Sequence, residues 1–311
     1  MALDKYVDVS GRVRVDDLDW EACRAAGLTE RERFVLEFFA DIESQTVIYM
    51  RDLLLTRTAM EPEVGGFLSM WNYEEFFHGR SLTSVLEACG YPQEEGRAGR
   101  VRANANFKET FDLVGSGIVS RTFDTTFPPL MFAWGAMNEN LTTQGYDAIV
   151  SFTTNPVLRT LAARIAKQER RHFAFYQNLA KERMVGNPAA QRLARVVLTS
   201  IWKPVGSGVK TDAEIRQLMT YLFEGREAEA AAEVDRRLQQ LPGLQGVTPM
   251  MHWYRKTPAW KRVWSLRGGR SDAPVAAAAA PTNGAHGRHG ATVPASAVIS
   301  DEAGDYAGAD A

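Results

Sequence analysis

An all-α fold, a four-helix bundle with a long crossover and additional C-terminal helices, is what this sequence predicts, and three observations carry the expectation. Capping boxes, Pro-opened turns and Gly stops divide the chain into segments of helical length. A Glu followed by a Glu-x-x-His occurs twice, as Glu43 with Glu75-Phe-Phe-His78 and as Glu139 with Glu169-Arg-Arg-His172. The intervals match: 32 residues separate Glu43 from Glu75 and 30 separate Glu139 from Glu169, with 61 between His78 and Glu139, so two like halves are joined by a longer connection. Four carboxylates and two imidazoles from four helices form the ligand set of a carboxylate-bridged dinuclear metal site inside a bundle.

Residues 1–27 read as an irregular arm ending in a short helix from Trp20 to Ala26, stopped by Gly27. Thr29-x-x-Glu32 is a capping box, and no Gly or Pro follows until after Thr56, which predicts a first long helix of about 40 Å. Glu61-Pro-Glu-Val opens a second helix that carries Trp71, Glu75 and His78 and ends at Cys89-Gly90-Tyr-Pro. The polar stretch from Gln93 to Arg102, with Arg97, Arg100 and Arg102, reads as an exposed connection, and Asn104 to Ser120 as a helical part of the crossover interrupted by Gly115 and Gly117. Pro128-Pro129 starts a third helix running through Glu139 to about Thr154, and Pro156 opens a fourth running to Met184 before Gly186-Asn-Pro.

Three further helices are expected at Ala189 to Trp202, at Asp212 to Phe223 after the capping box Thr211-x-x-Glu214, and at Arg226 to Leu241. From Thr248 to Arg270 six cations (Arg255, Lys256, Lys261, Arg262, Arg267, Arg270) interleave with Trp253, Tyr254, Trp260 and Trp264, and no acid occurs. This segment is expected to wrap the bundle with its aromatics and leave its cations wet, ahead of serving as a nucleic-acid or carrier-protein patch. Beyond it the composition collapses into Ala, Gly, Ser and Pro, the signature of a disordered tail. The expected divisions are an arm at 1–27, a helical domain at 28–247, a basic and aromatic segment at 248–270 and a tail at 271–311. His252, His286 and His289 have no acidic partner at ligand spacing.

The ligand candidates sit on apolar faces. Residues three apart share a helix face, so Glu75 and His78 can address one metal, and Glu169 and His172 another, with Glu43 and Glu139 completing the shells. Glu43 has Leu36, Phe39, Val47 and Met50 at four and seven residues to either side, whereas its nearest rival, Glu37, has Glu30, Arg33, Asp41 and Ser44 there, as on a solvated face. Glu75 shares its row with Leu68, Trp71 and Leu82, and Glu169 with Ala162, Ile165 and Tyr176. Glu139 has the more polar surroundings of Gly135, Thr142, Thr143 and Tyr146. A single Glu-x-x-His arises by chance in many helical proteins, and scattered buried ion pairs are the competing account. Yet burying unpaired carboxylates costs several kcal/mol each, so four on core faces call for shared cations. Oxygen-rich ligation with one nitrogen per metal favours iron or manganese over a thiolate-held metal.

With 311 residues, 45% of them hydrophobic, the chain can bury one large helical core. A net charge of −2 gives no global attraction to nucleic acid or to an anionic membrane. No apolar run approaches the ~18 residues of a membrane span, and the Asp-rich start lacks the apolar core of a secretory signal. Cys23 and Cys89 show neither pairing nor metal spacing and read as buried or idle thiols of a reducing, cytoplasmic compartment.

Over roughly residues 30 to 205 the sequence resembles the soluble acyl-carrier-protein desaturases of the ferritin-like diiron superfamily. The resemblance rests on Asp41-Ile-Glu43, on Trp71-Asn-Tyr-Glu-Glu75-Phe-Phe-His78-Gly79 (the family shows Glu-Glu-Asn-Arg-His-Gly), on Glu139-Asn-Leu-Thr142, and on Ile165-Ala-Lys-Gln-Glu169-Arg-Arg-His172 (Ile-Ala-x-Asp-Glu-Lys-Arg-His in the family). It implies a ferritin-like bundle holding two iron ions, dioxygen as cosubstrate, a ferredoxin-type electron donor, an acyl chain on a carrier protein as substrate, and a homodimer. Thr142 stands where the family has a Thr thought to assist oxygen activation, and is the candidate catalytic residue. Two departures matter: Gln168 replaces the family's Asp, which leaves its hydrogen-bond or electron route open, and Phe76-Phe77 replaces Asn-Arg. The radical Tyr of ribonucleotide reductase small subunits is Leu82 here, and the third His of amine N-oxygenases is Ile165. Desaturation is therefore the leading expectation, ahead of a diiron oxygenase (hydroxylase or N-oxygenase) of a biosynthetic pathway and of a non-catalytic ferritin-like metal-binding protein.

Overall fold

The computed structural model describes residues 3–54, 56–94, 96–97, 99, 125–207 and 209–256, and no strand occurs among them. The arm carries α1 (Leu3–Val7) and α2 (Trp20–Ala26), and α3 (Glu30–Glu43), α4 (Thr46–Leu54) and a 3-10 turn (Arg57–Met60) lead into α5 (Pro62–Ala88). After the crossover come α6 (Phe127–Phe152), α7 (Pro156–Met184), α8 (Pro188–Ile201), α9 (Asp212–Phe223), α10 (Glu227–Leu238) and α11 (Pro249–Arg255). The helix expected within the crossover, the tail, and residues 257–270 of the basic segment lie outside the described residues.

The short connection at residues 153–155 folds α6 and α7 into an antiparallel pair that packs along its length, while α3 packs on α5 and α8, α9 and α10 pack on α6. Polar groups fix the corner where these pairs meet. Thr29 and Glu32 form the expected capping box, and the other oxygen of Glu32 accepts from the Thr153 hydroxyl at 2.5 Å. Asn155 caps α7 through Val157 and Leu158 and donates to the carbonyls of Cys23 and Gly27 at 3.1 and 2.9 Å, which ties α2 to the bundle. No described helix is long and apolar enough to cross a membrane.

One expectation is corrected, and contacts invisible in the sequence are added at the arm and at the cysteines. The first long helix is two, because the Gln45 amide takes the Ile42 carbonyl three residues back in place of the one four back, so the α-helical ladder is interrupted directly after Glu43. Val47, expected on the buried row of Glu43, is accordingly 42% exposed. The arm packs inward, with Tyr6 and Val13 buried in the core; Glu94, Gly96 and Gly99 of the connection are exposed as expected, while Arg97 makes a two-pronged ion pair with the buried Asp41 at 2.8 and 2.9 Å. Cys23 and Cys89 are buried as expected, yet their sulfurs lie 3.7 Å apart, because the corner that seats α2 brings it onto the end of α5.

At the C-terminal side Asp235 accepts from the first amides of α11, Met250 and Met251, both at 2.9 Å. Burial pushes its carboxyl up to about 6 against the pull of those bonds. Trp253 is buried beneath Arg216, 5.0 Å from its ring centre, while Arg255 and Lys256 are exposed, so the described start of the basic segment places its aromatic inward.

Candidate metal centre

The six residues of the repeated pattern meet in one buried cluster between α3, α5, α6 and α7. Two glycines let the helices approach. A β-carbon on Gly79 would lie 3.3 Å from that of Glu43, and one on Gly135 would lie 2.7 Å from the Tyr176 ring, so small residues on α5 and α6 make room for a ligand and for a wall of the site. The interruption after Glu43 leaves its carboxylate at the last turn of α3, against α5.

Within the cluster two sets of ligand atoms each fall within 4.8 Å of one another: Glu43, Glu75, His78 and Glu169 in one, and Glu75, Glu139, Glu169 and His172 in the other. Glu75 and Glu169 belong to both. Each histidine reaches across to the opposite helix, His78 Nδ1 lying 3.0 Å from Glu169 and His172 Nδ1 3.0 Å from Glu75, with further carboxylate oxygens at 3.4 to 3.6 Å. Ligand bonds of ~2 Å put two donors on one ion roughly 3 to 4 Å apart, so this spacing suits two cations with two shared carboxylates.

The outer nitrogens of the imidazoles are held from behind. His172 Nε2 donates to Glu74 at 2.8 Å, and His78 Nε2 donates to the Gln168 carbonyl at 2.8 Å. The Gln168 amide nitrogen already donates to Gly11 and Glu74, at 2.7 and 2.9 Å, which fixes its oxygen toward His78. Both rings thus carry hydrogen on Nε2 and turn Nδ1 inward, the arrangement that second-sphere partners impose on metal-binding histidines. Tyr146 donates to Glu43 at 2.6 Å and Trp71 Nε1 to Glu139 at 3.1 Å, so each terminal carboxylate has one oxygen anchored.

The titration behaviour follows from crowding four buried acids around two imidazoles. Burial and the neighbouring Glu75 push Glu43 well above the usual carboxylate range, and burial with Glu169 and Glu75 does the same to Glu139 despite the nearby imidazole of His172. For Glu75 and Glu169 burial is outweighed by the imidazoles and, at Glu75, by the hydrogen bond from Glu43, so both stay ionised. Burial lowers both histidines, but Glu169 and Glu75 raise His78 to about 10, and His172 is raised too, with Tyr6, Glu139, Glu169 and Glu74 around it. Two shared carboxylates between two imidazolium ions, flanked by two carboxylic acids, make a centre that is neutral in its protonated form.

A cavity of about 90 Å³ opens onto the cluster, walled by Ile42, Leu53, Met131, Trp134 and Tyr176 and reaching Glu43, Glu75, Glu139 and Glu169. Thr142 lines it, and its hydroxyl donates to the Asn138 carbonyl one turn back at 3.0 Å.

Sequence reasoning overlooked Glu74, Tyr6 and Gly11. Glu74 is a buried hub that accepts from Tyr6, Gly11, Gln168, Arg171 and His172 at 2.8 to 3.0 Å. The bonds from His172 and its other donors overcome burial and hold its carboxyl below the usual range. A signal was present: Glu74 and Gln168 each precede a ligand glutamate by one residue, so they hold the same place in the two halves. Gln168 makes its bond to His78 as a neutral amide. No family model matches the chain, and no curated protein matches it.

Proposed function

We propose that Glu43, Glu75, His78, Glu139, Glu169 and His172 hold two iron ions and that the protein is a dioxygen-dependent oxidoreductase acting on an unactivated C–H bond of an apolar chain, in the manner of the carrier-bound acyl desaturases that its motifs resemble. One observation carries the metal reading. Glu75 Oε1, both oxygens of Glu169, and the Nδ1 atoms of His78 and His172 are buried without a hydrogen-bond partner, although they crowd to about 3 Å. Charge pairing between protonated imidazoles and these carboxylates offsets only part of their burial, and two cations satisfy all five atoms. Charge agrees: two divalent ions balance four carboxylates, as two imidazolium and two carboxyl protons do without them.

Bound there, two redox-active ions supply the reduction of dioxygen and the removal of hydrogen that no side chain performs. The chain's own residues bind and shield. Trp134, Met131, Leu53 and Ile42 keep water from the cavity and seat apolar substrate, while Tyr146 and Trp71 orient the terminal carboxylates. Thr142 Oγ1 holds a proton at the cavity wall. Thr142→Val should keep both metals, slow turnover severalfold and divert reductant into hydrogen peroxide; an unchanged rate and coupling would leave Thr142 as a residue that only bonds its own helix.

Metal uptake has to displace protons from His78, His172, Glu43 and Glu139, all raised above their ordinary values. Competition grows as pH falls, so affinity for iron(II) should weaken from pH 8 to pH 6. Calorimetry in buffers of different ionisation enthalpy should show proton release on loading, and a pH-independent affinity would contradict the charge balance.

The function is tested by supplying metal-loaded protein with a reductant and a saturated acyl chain on a carrier protein, and following oxygen uptake and product mass. Substrate-dependent uptake with loss of two hydrogens supports desaturation. Gain of one oxygen supports the oxygenase reading, which one observation favours: Asn138 Oδ1 is buried without a partner on a residue of the cavity wall and can accept from a substrate N–H or O–H. Absence of any substrate-dependent uptake leaves a metal-binding protein without organic substrate.

A further inference from the structure

On the side of the centre away from the apolar cavity, Arg12 and Arg14 of the arm face Arg164, Lys167, Gln168 and Arg171 of α7 across a cleft of about 470 Å³. The four α7 residues follow at i, i+3, i+4 and i+7 and so form one face. Among the described residues no acid lines the cleft. At its rim Asp17 pairs with Arg14 and Arg164 at 2.7 Å, and the exposed Asp16 lies 3.8 Å from Arg12, which takes up part of the charge. Lys167 has no acidic partner among the described residues and Asp17 is shared by two guanidinium groups, whereas Arg171 is turned inward onto Glu74 at 2.9 Å. A positive excess therefore faces outward.

The inner wall of this cleft touches the metal centre. Gln168 is one hydrogen bond from His78, and Arg171 is linked through Glu74 to His172. Short bonded routes to both imidazoles thus surface together, among cations, in an opening that shares no lining residue with the substrate cavity.

Resting on the function proposed above, we infer that this cleft is the docking surface for the electron donor, a small acidic redox protein, with Gln168–His78 and Arg171–Glu74–His172 as the routes inward. The chemistry requires such a donor. Taking dioxygen to two waters consumes four electrons and four protons; forming a carbon–carbon double bond by breaking two C–H bonds supplies two of each, and two electrons must come from outside with two protons from solvent. An acidic carrier protein has complementary charge too, but an acyl chain entering here would have to cross the Gln168–Glu74 network to reach the cavity. Electrons need only proximity.

The test uses the full chain, metal-loaded and metal-free, with an acidic [2Fe–2S] ferredoxin as probe. Binding of the oxidised ferredoxin should weaken steeply with salt, and Arg12→Glu combined with Lys167→Glu, both exposed and outside the ligand network, should weaken it roughly tenfold or more in either metal state. Reduction of the loaded centre by reduced ferredoxin should slow in parallel, while reduction by dithionite stays at the wild-type rate. Equal ferredoxin affinity in variant and wild type overturns the proposal, as does a wild-type centre that dithionite reduces and ferredoxin does not. Loss of carrier-protein binding with ferredoxin binding intact also overturns it. A centre that neither reductant alters overturns the metal reading along with it.

Discussion

Protein carrying His172→Ala, purified from iron-replete cells, should hold at most one iron per chain, with its helical content intact. His172 Nδ1 lies within 3.0 to 3.5 Å of Glu75, Glu139 and Glu169, so its loss takes the only nitrogen from one of the two ligand sets. His78→Ala should act in the same way on the other set, where Nδ1 sits 3.0 Å from Glu169 and 3.6 Å from Glu75. Helicity should persist because alanine favours helix and the apolar packing of α5 and α7 is untouched. Elemental analysis beside circular dichroism checks the pair, and a full metal complement in both variants would show the ligands to be wrongly assigned.

Glu74→Ala should be among the most damaging single changes to stability. It removes the common acceptor of Tyr6, Gly11, Gln168, Arg171 and His172 from a position with no solvent exposure. Stripping one partner from a buried charged network costs about 3–5 kcal/mol, which for a chain of this size lowers Tm by roughly 6 to 20 degrees. The arm should also come loose, since Tyr6 and the Gly11 amide lose their anchor; limited proteolysis within residues 1–20 reports that separately. A melting temperature within two degrees of wild type would show that the hub contributes little.

Much of this was legible in the sequence, and for reasons specific to each residue. Helix ends were readable wherever a local device sets them: the capping boxes at Thr29 and Thr211, Pro156 at the start of α7, and Cys89-Gly90 at the end of α5. The helix break after Glu43 was not, because it is a shift of one backbone amide, Gln45, from the i−4 to the i−3 carbonyl in a stretch free of Gly and Pro, and no residue type marks it. The six clustered residues could be picked out because the i, i+3 spacing of Glu75 with His78 and of Glu169 with His172, the apolar row of Glu43 and the matching interval from Glu139 to Glu169 are one-dimensional signals. Tyr6, Gly11 and Arg97 could not: each acts through a partner at least 56 residues away along the chain, and no local pattern marks such a contact.

The central claim is that the buried carboxylates and imidazoles hold a pair of iron ions, and anaerobic titration of the metal-free full-length chain with iron(II) tests it most directly. Two irons should bind per chain, release protons as they do so, and on exposure to oxygen give the Mössbauer signature of an exchange-coupled pair. Binding of one iron or none, or two irons that show no magnetic coupling, would contradict it.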